Sequence, residues 1–240
     1  IARSREAEGS GAYDNGLTDW QSLSARDYKF LKRTHGWRLD KWDRVQLISW
    51  SGTLLLRLAT YKDRAGRDVT AKLGPDGMMS IEEFISYEMN CVLKATRWDV
   101  EKLVVEQQKV RFVTLTASNG HILKIGAAQG HGPKASSQFL ESAVLEPATF
   151  SDTHLRSVML HGTHRCHADQ IRRQGLKAGG DRGTEFRTHI HLVGRIEGDA
   201  EIAGVRGGAD TVVRVDIPRY MRDGGKCVWS VNRVLLTGGL

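Results

Sequence analysis

Residues 110–128 read VRFVTLTASNGHILKIGAA, and this stretch decides the fold of the first half of the chain. Apolar and polar residues alternate on both sides of Ser118-Asn119-Gly120, which is the period of a half-buried strand. Asn-Gly between two such runs is the strongest short hairpin signal, because a tight turn there wants positive φ at its centre. Three helical segments lead up to it. LISWSGTLLLRLATY (47–61) sets Leu47, Trp50, Leu54, Leu55 and Leu58 on one face, with Arg57 off it. After the Asp76-Gly77 turn, MMSIEEFISYEM (78–89) offers Ser80 as N-cap and Glu83 as its capping-box partner. WDVEKLVVEQQ (98–108) opens on Asp99. Three helices followed by a hairpin is the order of a winged-helix module, whose loops and basic face commonly meet nucleic acid, although fold alone does not carry function.

Outward from this block the texture changes twice. Residues 1–45 are polar, then mixed aromatic and basic, and form an extension whose role the sequence leaves unknown; its opening dozen residues are expected to be loose. Gly130, Gly132, Pro133, Ser136 and Ser137 punctuate the other side, predicting a linker over 131–152 between a lobe at 46–130 and one at 153–240. Beyond it, SVMLHGT, THIHLVG, TVVRVDI, CVWSV and RVLLTG alternate like strands, and ADQIRRQGL is a short helix stopped by Gly175. The fold class is α+β, with a mostly β second lobe.

Composition limits the partners. The 240 residues carry 35 Lys+Arg against 28 Asp+Glu, a net charge of +7, which favours an anionic partner such as RNA or a phosphorylated ligand over a merely solvated surface. No apolar run approaches the roughly 20 residues a bilayer requires, and the first residues lack a signal peptide's apolar core, so the expectation is a protein of the nucleus or cytoplasm, by default a monomer. Cys91, Cys166 and Cys227 are sparse and odd in number, which argues against a disulfide framework and predicts three buried thiols. LHGTHRCH (160–167) and THIH (188–191) raise the thought of zinc, but their spacing builds no second pair of ligands, and no metal is expected.

Arginine is the side chain best shaped to fork onto phosphate oxygens. Arg57, Arg111 and Arg187 each sit beside apolar or His-rich segments, and singly each reads best as a surface cation. Taken in order, however, LLLR, DGMMSIEEF, KVRF, AAQGHG, LHGT, IRRQGL, RTHIHL, VRVDI and SVNRVLLTGG resemble the NAD-dependent RNA 2′-phosphotransferases, over roughly Gln46 to Gly239. The resemblance implies a winged-helix RNA lobe followed by an NAD lobe of the ADP-ribosyltransferase fold. It implies that Arg57, Arg111 and Arg187 surround an internal RNA 2′-phosphate, at a tRNA splice junction in the usual substrate. His161, Gly162, Thr163, His189, His191, Ser230 and Asn232 would line the NAD⁺ site, and Lys124, Gln129, Gly130 and His131 would meet RNA. The implied reaction passes through ADP-ribosylated RNA to RNA 2′-OH, nicotinamide and ADP-ribose cyclic phosphate. The chain departs from the pattern at Leu58, where a histidine is usual, at Gly126, usually arginine, at Gly132, usually serine, and at Arg233, usually glycine. Two other readings stay open: ADP-ribosylation of terminal phosphates on RNA or DNA, and a non-catalytic RNA-binding relative.

Overall fold

The computed structural model describes residues 23–106, 109–179, 187–195 and 208–239. The expectation of loose opening residues lies outside these. Helix α1 (Ala25–His35) starts where the Ser24 hydroxyl accepts the Asp27 amide at 3.1 Å, and it stops at Gly36, whose φ is 57°. A 3-10 turn (Gly36–Asp40) leads to α2 (Arg44–Leu58), capped by a box in which Asp43 and Gln46 satisfy each other's backbone amides. Phe30, Leu31 and Leu39 from the first segments join Leu47, Ile48, Leu55 and Leu56 of α2 in one core. Part of the extension is thus built into the first hydrophobic core.

The buried face of α2 runs through Leu47, Ile48, Ser51, Gly52, Leu55 and Leu56, while Trp50, Leu54 and Leu58 are only half-buried. The face is therefore rotated from the expected one. An unbroken Leu-Leu-Leu run carries no periodic information, and the small residues Ser51 and Gly52 mark the true contact side. A Cβ on Gly52 would stand 2.4 Å from the Phe84 ring, so glycine is what lets the next helix approach.

From the end of α2 the chain makes an antiparallel pair, β1 (Thr60–Lys62) with β2 (Asp68–Thr70), that the sequence reading did not anticipate. Then come β3 (Met78–Ser80), α3 (Ile81–Ser86), α4 (Glu88–Val92) and α5 (Arg97–Glu106). Ser80 and Glu83 form the expected capping box at the head of α3. Strands β4 (Phe112–Thr116) and β5 (Ile122–Ala127) form the expected hairpin, turned at Asn119 and at Gly120 with φ 84°. The sheet order is β3-β5-β4, all antiparallel. A single turn of helix, α6 (Pro133–Ser136), buries Ala135 in the first core.

The second half contains β6 (Leu145–Pro147), β7 (Val158–Thr163), α7 (Ala168–Gln174), β8 (Ile190–Leu192), β9 (Thr211–Asp216), α8 (Ile217–Arg222), β10 (Cys227–Ser230) and β11 (Leu235–Thr237). One sheet runs β6-β10-β11-β8, and β7 pairs with β9. The two sheets are stitched by reciprocal backbone bonds between Leu160 and Val193 at 2.8 and 2.9 Å. Met159, Ile190, Leu192, Ile217, Trp229 and Leu235 fill the space between strands and helices. The architecture is mixed α and β, as the alternation predicts.

The cysteines correct an expectation. Only Cys227 is buried, and burial raises its thiol to about 11; Cys91 and Cys166 are exposed. Among the described residues no three His, Cys, Asp or Glu gather where they could hold a metal ion, and no helix is long and apolar enough to cross a membrane.

Candidate active site

Arg57 stands in the last turn of α2, where the chain must stop because Ala59 takes a left-handed φ of 49°. Residues 130–132 fold back over it. The Gly132 amide donates to the Arg57 carbonyl at 2.8 Å, and Gly130, at φ 80°, lies so close that its missing Cβ would be 3.4 Å from Arg57 Nε. The guanidinium is thereby clamped between helix end and loop, and its Nε is buried without a hydrogen-bond partner.

Two further arginines act on it. Arg111 immediately precedes β4, where its carbonyl accepts the Ala128 amide at 2.9 Å. This fixes it beside the strand that runs into Gln129, Gly130 and His131. Arg187 arrives from the second lobe, exposed, at the entry to β8. Burial, then Arg187, then Arg111 lower the Arg57 guanidinium to about 10, far enough above neutrality for it to stay cationic. Three arginines drawn from distant stretches of chain therefore share one electrostatic neighbourhood, and no carboxylate pairs with Arg57 among the described residues. Like charges brought together at this cost fit a site built to receive an anion.

Imidazoles surround the cluster, and two of them, His131 and His191, are held neutral. His131 is buried, its Nε2 has no partner, and burial together with the charges of Arg57 and His189 lowers its pKa to about 4. His191 is buried too, and burial with Arg187 and Arg57 pushes it well below the ordinary value. His161 on β7 donates Nδ1–H to the His191 carbonyl at 2.9 Å, which fixes its tautomer. His189 meets Glu141 at 3.2 Å on the rim.

The two halves of the chain, each with its own core, are joined at this seam by bonds that the sequence did not reveal. Thr188, next to Arg187, donates its hydroxyl to the His131 carbonyl at 3.2 Å. Asn232 donates Nδ2–H to the carbonyl of Val110, the residue before Arg111, at 2.8 Å. Ser230 supports that amide by donating to Asn232 Oδ1 at 2.7 Å. Both interlobe bonds thus fall beside an arginine of the cluster. A cavity of about 170 Å³ opens next to it, lined by Gly130, His131, Phe139, Thr188 and His189, and a larger one of about 290 Å³ continues past Glu141 and Leu236.

Other residues singled out in the sequence lie as follows. Gly162 and Thr163 are buried on β7 beside His161. Gln129 is buried with an unpartnered Oε1. Lys124 is engaged by Asp76 at 2.7 Å on the β3–β5 side of the sheet. A side chain at Gly126 would collide with Met78, so methionine occupies the space there.

Three arginines gathered beside a cleft define an anion-binding arrangement, and comparison with known proteins gives the family. The chain is 32% identical over 169 residues to tRNA 2′-phosphotransferase 1 of Danio rerio, covering 70% of this chain and 69% of that protein. Residues 47–239 match the RNA 2′-phosphotransferase, Tpt1/KptA family, and the chain belongs to that family.

Proposed function

We propose that this protein removes an internal 2′-phosphate from RNA and transfers it to NAD⁺, releasing nicotinamide, RNA 2′-OH and ADP-ribose cyclic phosphate. The observation that carries the reading is the convergence of Arg57, Arg111 and Arg187 without a carboxylate on Arg57. A dianionic phosphate would neutralise that repulsion, and guanidinium forks suit its three oxygens. We assign the first lobe as a winged helix that engages RNA, on the order α2, α3–α4, α5 and hairpin with β3 completing the sheet. The second lobe is assigned the ADP-ribosyltransferase fold, with the boundaries read from the sequence. The proposed substrate is tRNA, after the name of the Danio rerio relative, and the splice junction is taken from the resemblance in sequence.

The residues present fit a bound NAD⁺. His131, whose buried Nε2 has no partner, lines a cavity of about 170 Å³ at the seam, and the neighbouring Gln129 carries a second unpartnered atom, Oε1. His161, Gly162, Thr163, His189 and His191 would hold it. NAD⁺ supplies an electrophilic ribose carbon whose leaving group departs neutral. The protein's own task is then positioning and charge. The arginines would hold the 2′-phosphate in place as nucleophile, and they would stabilise negative charge on its oxygens as a neighbouring ribose hydroxyl bonds to phosphorus and the RNA 2′-oxygen leaves and takes up the proton. Neutral His131 and His191 add no charge to compete with them.

Mixing the protein with NAD⁺ and a 2′-phosphorylated oligonucleotide, then identifying every product by mass, tests this. Nicotinamide together with ADP-ribose cyclic phosphate is the expected result, and no nicotinamide release overturns it. Leu58, half-buried beside Arg57, favours one alternative, in which transfer stops early. Its product would be RNA that keeps its phosphate and gains the mass of ADP-ribose.

A further inference from the structure

The segment before residue 46 lies outside the span matched to the family, yet it is folded onto the first lobe and carries an unusual cluster. Residues 23–45 hold seven Lys and Arg against three Asp. At their centre Arg38 lies over three indoles, 4.8 Å from the Trp37 ring, 5.3 Å from Trp42 and 4.7 Å from Trp50. Its buried Nε has no hydrogen-bond partner, so the rings are what hold it. Trp37 is 55% exposed, braced edge-on by Trp42 at 5.9 Å, with Lys41 Nζ 5.8 Å from its ring. An open indole face ringed by cations is the chemistry that a stacked base and its phosphate match.

Its placement says what it meets. Trp50, Leu54 and Arg57 stand at i, i+4 and i+7 of α2, on one stripe of the helix. Trp50 and Arg57 are therefore about 10 Å apart along the axis, which is roughly three stacked nucleotides at ~3.4 Å each. We infer that Trp37 and Lys41 form a platform for single-stranded RNA flanking the 2′-phosphate, with one base stacked on the indole and the ammonium on a phosphate. Arg38 is the positioning residue that locks the indoles. The inference rests on the RNA reading proposed above. The positive charge, and the link that Arg38 makes from Trp37 to Trp50 on the Arg57 stripe, select RNA over an apolar partner, since bases stack on any aromatic face and phosphates seek ammonium groups.

The test uses the full chain, a long single-stranded RNA and a trinucleotide, each with and without an internal 2′-phosphate. Trp37→Ala is expected to weaken binding of the long unphosphorylated RNA by about 10-fold, Trp37→Phe to restore most of it, and Lys41→Ala to lower the salt slope by about one ion. With phosphorylated substrates Trp37→Ala should raise KM for the long RNA and leave kcat, and turnover of the trinucleotide, unchanged. Equal binding by Trp37→Ala and wild type overturns the platform, as does an equal effect on long and short substrates. If wild type releases no nicotinamide from either substrate, the proposed activity fails while the binding measurements still decide the platform.

Discussion

Arg57 leaves the last turn of a fifteen-residue helix that is boxed at its head and packed along one side, whereas Arg187 stands exposed at the entry to a three-residue strand. Both contribute to one cluster, but they bear its cost differently. Arg57 cannot withdraw, since Gly130 is laid against its guanidinium and its carbonyl is bound by Gly132. Its lowered pKa records that confinement. Arg187 reaches the cluster from the far lobe and is held near it by the neighbouring Thr188 bond to His131. The difference teaches that, in the anion site proposed here, Arg57 is the confined member and Arg187 the exposed one.

The largest effect should come from removing the charges while keeping their volume. Arg57→Met and Arg187→Met should each cost 10²- to 10³-fold in kcat/KM, as loss of one preorganised electrostatic contact does. Only Arg57→Met should also stabilise the fold, by about 1 kcal/mol or more, because an unpaired half-buried charge is replaced by an apolar chain. Turnover and urea unfolding of the two variants check this together. If Arg187→Met is the stabilised one, the assignment of strain is reversed.

A smaller effect separates the seam from the interior. His35, in the first core, and His131, at the seam, are both lowered to about 4, the first by burial and Arg38, the second by burial, Arg57 and His189. Because these values lie below the ordinary 6.5, the unfolded chain binds the proton more tightly. Stability is therefore full above about pH 6.5 and falls as pH drops toward 4, by up to about 3 kcal/mol for each group. Inorganic phosphate should distinguish them. An anion on the arginines offsets Arg57's push on His131 and should raise its titration midpoint in NMR while leaving that of His35 in place. Two unmoved midpoints at saturating phosphate would argue that the cluster binds no such anion.

How much of this was legible follows the same division. The β4–β5 hairpin and the Ser80–Glu83 cap were readable because turn and cap chemistry is local. The Asp43–Gln46 box that opens α2 was equally local, in Asp-Arg-Val-Gln, and went unread because the extension was treated as separate from the lobe. Arg57, Arg111 and Arg187 can be proposed together only through the order of motifs, since no local rule brings together residues this far apart in the chain. Thr188, and the support that Asn232 gives through Val110, could not be seen in advance. A hydroxyl or amide that bonds a distant carbonyl leaves no periodic trace in sequence.

Next in size is the clamp itself. Gly130→Ala forces a side chain into a φ of 80° and sets its Cβ 3.4 Å from Arg57 Nε. The left-handed backbone alone costs about 1–2 kcal/mol. Activity should fall by about 10-fold as the guanidinium shifts, a loss appropriate to displacement of one donor and smaller than its removal. An alanine variant with unchanged activity would show that Arg57 does not need the loop pressed against it.

The smallest effect should come from the far side of the seam. Asn232→Ala removes the bond to Val110 and one acceptor of the Ser230 hydroxyl, which keeps the Val234 carbonyl at 3.0 Å, and one such neutral bond contributes about 0.5–1.5 kcal/mol. Its loss should fall on kcat/KM more than on the unfolding midpoint, because Val110 adjoins Arg111 and the bond spans the lobes without entering either core. Asn232→Asp sharpens the point. It keeps the acceptor for Ser230 but puts a carboxylate against the Val110 carbonyl, in reach of a cationic cluster, so it should impair turnover more than alanine does. Equal turnover in both variants, with the midpoint lowered in both, would make Asn232 a prop of the β10–β11 turn and leave the closing of the second lobe to Thr188 alone.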